Sequence, residues 1–279
     1  MTHFNPTRLL KKAFVFLSMA VILVVVLLPF YWTVISSLKT SGGIFVYPPK
    51  WLPDRWVWSN YVDVFKAAPF GRYFLNTVFY SVSVMIGQLV SCSLAGFAFA
   101  RLKFPGRNKL FLLYLATMMI PTQVTQVPMY VLMRNYGWLD TWMVMIIPGL
   151  FGGPFGTFLM RQFMMTIPRD LDEAALIDGA NLFTIYTKVM LPLTKPVLSV
   201  LGVFSLMQVW NDFMWPLIML SSQKTFTLTL GLYSFQGQYY TDWNLLMAAA
   251  TLVMIPVLLA FAFAQRYIIE GITVTGMKG

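Results

Sequence analysis

An all-α polytopic membrane protein with six transmembrane helices is the fold class this sequence predicts, and three observations predict it. The chain has 279 residues, 58% of them hydrophobic and only 11% charged, with a mean hydropathy of +0.69. A soluble domain is nearer ~45–50% apolar and ~25% charged, and one of this length could not hide so much apolar surface. Six apolar stretches are each long enough for a ~30 Å hydrocarbon core, which takes about 20 residues of helix. The period-2 alternation of a membrane β-barrel is absent.

The first span, 13–35, follows the basic stretch Arg8, Lys11, Lys12. Its apolar run continues through Phe30, Tyr31 and Trp32, too long and too bulky for the core of a cleavable signal peptide, and no small-x-small site follows. A retained helix is therefore expected. The loop 37–73 is rich in Pro and Trp, including Pro48, Pro49, Trp51 and Trp56, residues suited to a membrane interface. Within it, 59–68 predicts one short helix, stopped by Pro69 and Gly71.

The second span, 74–100, holds Cys92, expected as core filler. The third, 110–133, contains Pro121 and Pro128, so it is expected to be kinked or broken, a common way to open a cavity at the midplane. Gln123 and Gln126, at i and i+3, share a face there; they either line a pathway or hydrogen-bond between helices. The fourth, 142–160, carries Gly149, Gly152, Gly153 and Gly156 around Pro154, spacing that predicts close helix packing. The fifth, 197–220, contains Gln208, Trp210, Asn211, Asp212 and Trp215, with Pro216 expected to break the helix just beyond. A carboxylate inside a span is costly and normally faces a cavity or a partner. Two readings stand: Gln208, Asn211 and Asp212 line a translocation pathway, or they form a polar cluster that holds spans together. The sixth span is 244–264.

Charge orients these spans. With the N-terminus inside, 13 of the 20 Lys and Arg fall on inner segments and seven on outer ones, five of those seven in the single loop 37–73. The short loops thus follow the positive-inside rule, which predicts both termini in the cytoplasm. The formal charge of +10 is explained by this asymmetry, so nucleic acid is not an expected partner. One Cys and one His exclude an intramolecular disulfide and a His/Cys metal site. Ten carboxylates leave little for acid–base catalysis, and no catalytic residue is assigned.

Four of the ten carboxylates sit in one inner loop, 161–196. Asp170 followed by Glu173 has the spacing of a capping box. A short helix is expected over 171–178, with Gly179 as its left-handed stop. Asn181 caps a second helix, which Pro192 should end. Leu171, Ala174, Ala175 and Asp178 recur at helical spacing, as do Leu182, Phe183, Tyr186, Val189 and Met190. The loop therefore encodes a helix–Gly–helix elbow in water. It is either a solvated connector or a docking piece for a partner groove, the small Ala174 and Ala175 permitting close approach.

Glu173-Ala174-Ala175, three residues, Gly179, nine residues, Val189, one residue, then Leu191-Pro192 resembles the EAA signature of ABC importer permeases, with Val where Ile is usual. The tail GITVTGMKG and the segments PPKWLPD, WSNYVDVF, FARLKFPGRN, IPTQVTQVPMY and VWNDFMWP are similar to carbohydrate permeases of the maltose-transporter type, within it to the second permease subunit. The resemblance covers nearly the whole chain, a single permease domain over 1–279. It implies a six-span subunit that pairs with a second homologous permease, two nucleotide-binding ATPase subunits and an extracytoplasmic solute-binding protein. The location implied is a bacterial or archaeal plasma membrane.

The chain itself has no G-x-x-x-x-G-K-[ST] phosphate loop, so it is not expected to be an enzyme or to bind a cofactor; ATP and Mg would sit on the partner ATPase. The resemblance implies that Glu173, Ala174, Ala175, Asp178, Gly179, Val189, Leu191 and Pro192 couple to that ATPase. Gly276 and Lys278 would reach toward the same assembly. It also implies a sugar or oligosaccharide as solute, with Trp210 or Trp215 stacking on a sugar face. Two other classes remain at this point: an ion-coupled secondary carrier, and a membrane assembly protein that transports nothing. A secondary carrier usually needs ionisable relays within its spans, and this sequence offers little beyond Asp212.

Overall fold

The computed structural model describes residues 6–237 and 240–276. Among the described residues every element is helical, and the one exception is an isolated bridge between Gln236 and Thr241. The helices are α1 Pro6–Ser37, α2 Ser41–Ile44, α3 Ser59–Ala67, α4 Phe70–Arg101, α5 Arg107–Ala116, α6 Thr122–Asn135, α7 Trp142–Leu150 and α8 Pro154–Thr166. They continue as α9 Asp170–Ile177, α10 Leu182–Thr184, α11 Leu191–Leu193, α12 Lys195–Trp210, α13 Met214–Met219, α14 Leu228–Tyr233 and α15 Trp243–Gly276. Among the described residues, four stretches are long and apolar enough to cross a membrane, or up to six if each of two bent pairs is one span.

The packing divides into two compact units. One comprises the chain up to Ala68 with Leu232–Met254; the other comprises Pro69–Gly231 with the chain from Ile255.

In the first unit, α1 exposes nearly every side chain from Leu10 to Phe30, an apolar surface suited to lipid. Beyond it the chain is tied by polar contacts. Asn60 donates to the carbonyls of Ser37 and Lys39 at 2.8 and 2.9 Å and accepts from Asn244 at 3.0 Å. Lys39 is buried; its Nζ donates to the Lys50 carbonyl at 2.6 Å and lies 4.3 Å from the Trp32 ring centroid. Burial pulls the Lys39 pKa below the usual amine value, although Asp54 pushes the other way. The short helix expected over 59–68 is α3. Gly71 plays no part in stopping it, since Pro69 is the N-cap of α4 and Gly71 lies in the first turn of α4.

The second unit is organised around α4, on which α7, α8 and α12 pack. Three of the four expected glycines make this approach possible; Gly153 is the exception, with open space where a Cβ would sit. A Cβ on Gly149 would meet Val84, and one on Gly152 or Gly156 would meet the Cys92 sulfur. The Gly152 N–H donates to Ser91 Oγ at 2.6 Å, and Ser91 Oγ donates on to the Leu150 carbonyl at 3.0 Å, so the gap between α7 and α8 is satisfied by α4.

Pro121 breaks the third span as expected. α5 and the 3-10 turn Thr117–Met119 meet α6 at 95°. Pro128 lies inside α6. The break in the fifth span falls earlier than Pro216. α12 ends at Trp210 and α13 starts at Met214, so Pro216 lies in the first turn of α13, where its missing N–H has no intrahelical partner to lose.

Asp140 anchors the loop before α7, at a positive φ of 56°. Its Oδ1 accepts from the Ser221 and Ser222 amides at 3.1 and 3.0 Å and from the Thr225 hydroxyl at 2.8 Å. Burial pushes its carboxyl up, but these donors outweigh it and hold the group below the usual carboxylate range.

Candidate functional site

Two features of the second unit gather the polar and exposed groups that the sequence singled out: an elbow at 167–194 and a cavity between α4, α6, α7 and α12.

The elbow begins at α9. The expected capping box does not form, because Arg169 is the N-cap residue, in helical conformation, and no side chain caps the end. Asp170 is instead the first residue of the helix. With Asp172 and Glu173 it places three carboxylates in the first turn, where the helix dipole favours negative charge. The stop is a Schellman motif: Ala180 N–H donates to the Ala175 carbonyl at 2.9 Å and Gly179 N–H to Leu176 at 3.0 Å. Gly179 has φ 82°, which a residue with a Cβ resists. Asn181 then caps the second helix, its Oδ1 accepting from the Thr184 amide at 2.8 Å.

Pro192 does not end that helix. Residues Ile185–Met190 form a π-helical segment in which the Leu191 N–H reaches back to the Tyr186 carbonyl. The wider turn accommodates the Pro192 ring, which a strict α-ladder would press against residue 188. The helix runs on through Leu193 and turns by 79° into α12 at Thr194, just ahead of Pro196. The π segment also splits the expected apolar stripe. Leu182 and Phe183 stay exposed, while Ile185, Tyr186 and Met190 are buried with Phe97, Met160, Met164 and Leu201.

The elbow therefore has two faces. Its root shares a core with α4, α8 and α12, and Ala175, Ala180 and Leu191 pack against that core. Tyr186 and Ser93 hydroxyls lie 2.7 Å apart. Ala175 is thus turned toward this chain's own bundle, and only Ala174 of the pair is exposed. The second face carries Leu171, Glu173, Ala174, Asp178, Phe183 at 70% exposure and Ile177 at 86%. Val189 is half-buried and Pro192 exposed.

A residue that the sequence reading missed joins the faces. Arg101, the last of α4, sets its Nε 3.1 Å from Asp172 Oδ2, with the two side chains 6% and 16% exposed. Its Nη2 donates to the Ile167 carbonyl at 2.8 Å. Opposite charges 71 residues apart give no periodic signal in a sequence. Gly276 ends the described part of α15, and Lys278 lies outside the described residues.

The second feature is a cavity of about 740 Å³. It brings together Gln123, Gln126, Gln208, Asp212 and Trp215 from the predicted pathway set. Trp210 and Asn211 are not in its lining. Trp210 is buried edge-on to Phe74, and Asn211 points outward and donates to the Met207 carbonyl at 2.8 Å. The break after α12 explains this, since the turn at 211–213 rotates Asn211 away as it brings Asp212 in.

Asp212 serves two ends at once. Its Oδ1 accepts from the Trp215 amide at 3.3 Å, capping α13, and its backbone carbonyl accepts from Thr229 at 2.6 Å. Trp215 is held by a bond from Nε1 to the Val144 carbonyl at 3.1 Å. The sequence reading also missed Tyr80 and Gln88 on α4 and Thr122 and Thr125 on α6, which line the same space. Tyr80 shares the lining with Asp212. The signal was available: Tyr80, Val84 and Gln88 recur every four residues and so share one helix face. The glutamines, hydroxyls, one carboxylate and indole share this space with Val84, Met129, Met145, Pro148, Val209 and Met214; the mixed lining suits a neutral polyhydroxylated molecule, which has many donors and acceptors and a flat apolar face.

Residues 92–274 match the family described as the binding-protein-dependent transport system inner membrane component. The chain is similar to the arabinooligosaccharides transport system permease protein AraQ of Halalkalibacterium halodurans, 33% identical over 88% of this chain and 86% of that one. It is also similar to the maltodextrin transport system permease protein MdxG of Bacillus subtilis, 30% identical over 99% of both. The fold matches a chain in the crystal structure of a bacterial ABC transporter involved in the import of the acidic polysaccharide alginate. The TM-score is 0.83 at 22% identity, covering 96% of this chain and 99% of that one.

Proposed function

The chain belongs to the family of binding-protein-dependent transport system inner membrane components, and on that premise we propose that it works as one half of the translocation pathway of a carbohydrate ABC importer. A second homologous permease completes the pathway. Two ATPase subunits dock beneath, carrying the ATP and Mg, and an extracytoplasmic binding protein delivers a sugar or oligosaccharide from above. The setting is a bacterial plasma membrane, with both termini and the elbow on the cytoplasmic side. The positive-inside count supports that orientation.

The single observation that carries the reading is the two-faced elbow. Its outer face, with Leu171, Ile177 and Phe183 exposed, is left unfilled by this chain, and its root is embedded in the core of the membrane helices. In the ATPase cleft Ile177 and Phe183 lose their water, a gain of ~1.5–3 kcal/mol each. Glu173 faces a basic residue there. Closure of the ATPase pair on ATP moves both elbows together. Because the root is packed into α4, α8 and α12, that movement rocks the spans and exposes the polar cavity to one side and then the other. Gln123, Gln126, Gln208 and Asp212 offer hydrogen bonds to sugar hydroxyls, and Trp215 offers a face for the ring. Relatives named for arabinooligosaccharide and maltodextrin transport support a carbohydrate solute.

Reporter fusions test the arrangement. Junctions after Tyr136, Arg169 and Ser222 are expected to read outside, inside and outside in turn. An external signal after Arg169 would place the elbow where no ATPase can meet it and would end this reading.

A further inference from the structure

The loop between α4 and α5 folds around a basic concavity of about 520 Å³ that neither the elbow's outer face nor the polar cavity uses. Lys103, Arg107, Lys109 and Arg169 line it, together with Asn108 and Gly106. Gly106 adopts φ 78°, and the turn it makes brings Arg107 to the start of α5 with no side-chain cap on that helix. Arg107 is fixed by a bond from Nη1 to the Leu102 carbonyl at 3.0 Å.

Among the described residues, ion pairs join Lys50 to Asp54, Lys66 to Asp63 and Arg101 to Asp172, and none involves these four cations. Four positive groups around one concavity give it a positive potential that attracts an anion. Past the concavity, α5 presents Leu110, Leu112 and Leu113, each more than half exposed. One short stretch of chain therefore offers a cationic cradle and then an apolar strip, at the end of a membrane-length helix.

We propose that this concavity holds the phosphate of an anionic phospholipid, with the acyl chains lying along the face of α5 that carries Leu110 and Leu113. A basic pocket at the end of membrane helices is a recurrent way to hold such headgroups. A soluble phosphorylated compound would use the same cations but has nothing to lay on the leucines. Arg169 immediately precedes α9, so the bound lipid sits at the root of the elbow and steadies it.

The test uses the assembled transporter in nanodiscs of phosphatidylcholine doped with phosphatidylglycerol, reading the binding of spin-labelled phosphatidylglycerol against labelled phosphatidylcholine. The wild type should select phosphatidylglycerol. Lys103→Gln/Lys109→Gln should weaken that selection about tenfold, given the attraction each basic residue adds near a membrane surface. Lys11→Gln/Lys12→Gln, which removes the same charge from α1, should leave it unchanged. Equal loss in both double variants would mean diffuse surface charge and overturn the site. So would absence of selection in the wild type, or binding of inorganic phosphate alone at the same cations without lipid selection.

Discussion

Replacing Arg101 with leucine is expected to lower the thermal stability of the purified transporter by on the order of 10 °C and to uncouple the elbow from the spans. The guanidinium is almost fully buried against Asp172 and the Ile167 carbonyl. Removing one partner of such a pair leaves the other charge desolvated and uncompensated, at a cost of about 3–5 kcal/mol. Asp172→Leu should cost a similar amount, for the mirror-image reason. The double variant Arg101→Leu/Asp172→Leu should recover part of the loss, because neither charge is then stranded. The measurement is a double-mutant cycle on the unfolding midpoint, with protease cutting at 177–183 as a local readout. Strictly additive losses would show that the two side chains do not act as a pair.

Asp212→Ala is expected to cut solute uptake by roughly tenfold or more, since a hydrogen bond to a charged group is worth ~1.5–3 kcal/mol. The residue also caps α13, so a loss of uptake alone would be ambiguous. Asp212→Asn separates the two roles, because asparagine caps a helix as well as aspartate does. It should assemble normally and still transport poorly. Asn211→Ala, one residue away but outside the cavity, should transport like the wild type. Normal uptake by both Asp212 variants, in an assembled complex, would remove this carboxylate from the pathway.

The elements that hydropathy marks were legible because burial in lipid demands long apolar runs, and Pro121 and Gly179 were legible because their backbone chemistry is local. The elbow's two helices followed from Asn181, Gly179 and the spacing of apolar residues. Details that depend on partners distant in sequence were not legible. Arg101 meets Asp172 only once α4 and α9 are packed. The π segment at Ile185–Met190 lets the helix pass Pro192, and it turns Tyr186 inward while Phe183 stays out. Nothing in an i, i+4 pattern foretells that change of register. In the fifth span, Asn211 and Asp212 are neighbours with equal claims to a pathway. Only the turn that ends α12 decides which of them faces the cavity.

Docking of an ATPase subunit on the exposed face of the elbow is tested by charging that face. Ile177→Asp/Phe183→Asp alters two side chains that are 86% and 70% exposed and outside the buried core, so the fold of this chain should be spared. The complete transporter carrying this double variant is purified through a tag on the partner permease. ATPase content and hydrolysis stimulated by loaded binding protein are then measured. The expected result is an intact permease pair that has lost its ATPase subunits and shows no stimulated hydrolysis. Full retention of the ATPase with wild-type stimulation would contradict it and leave the elbow a passive connector between α8 and α12.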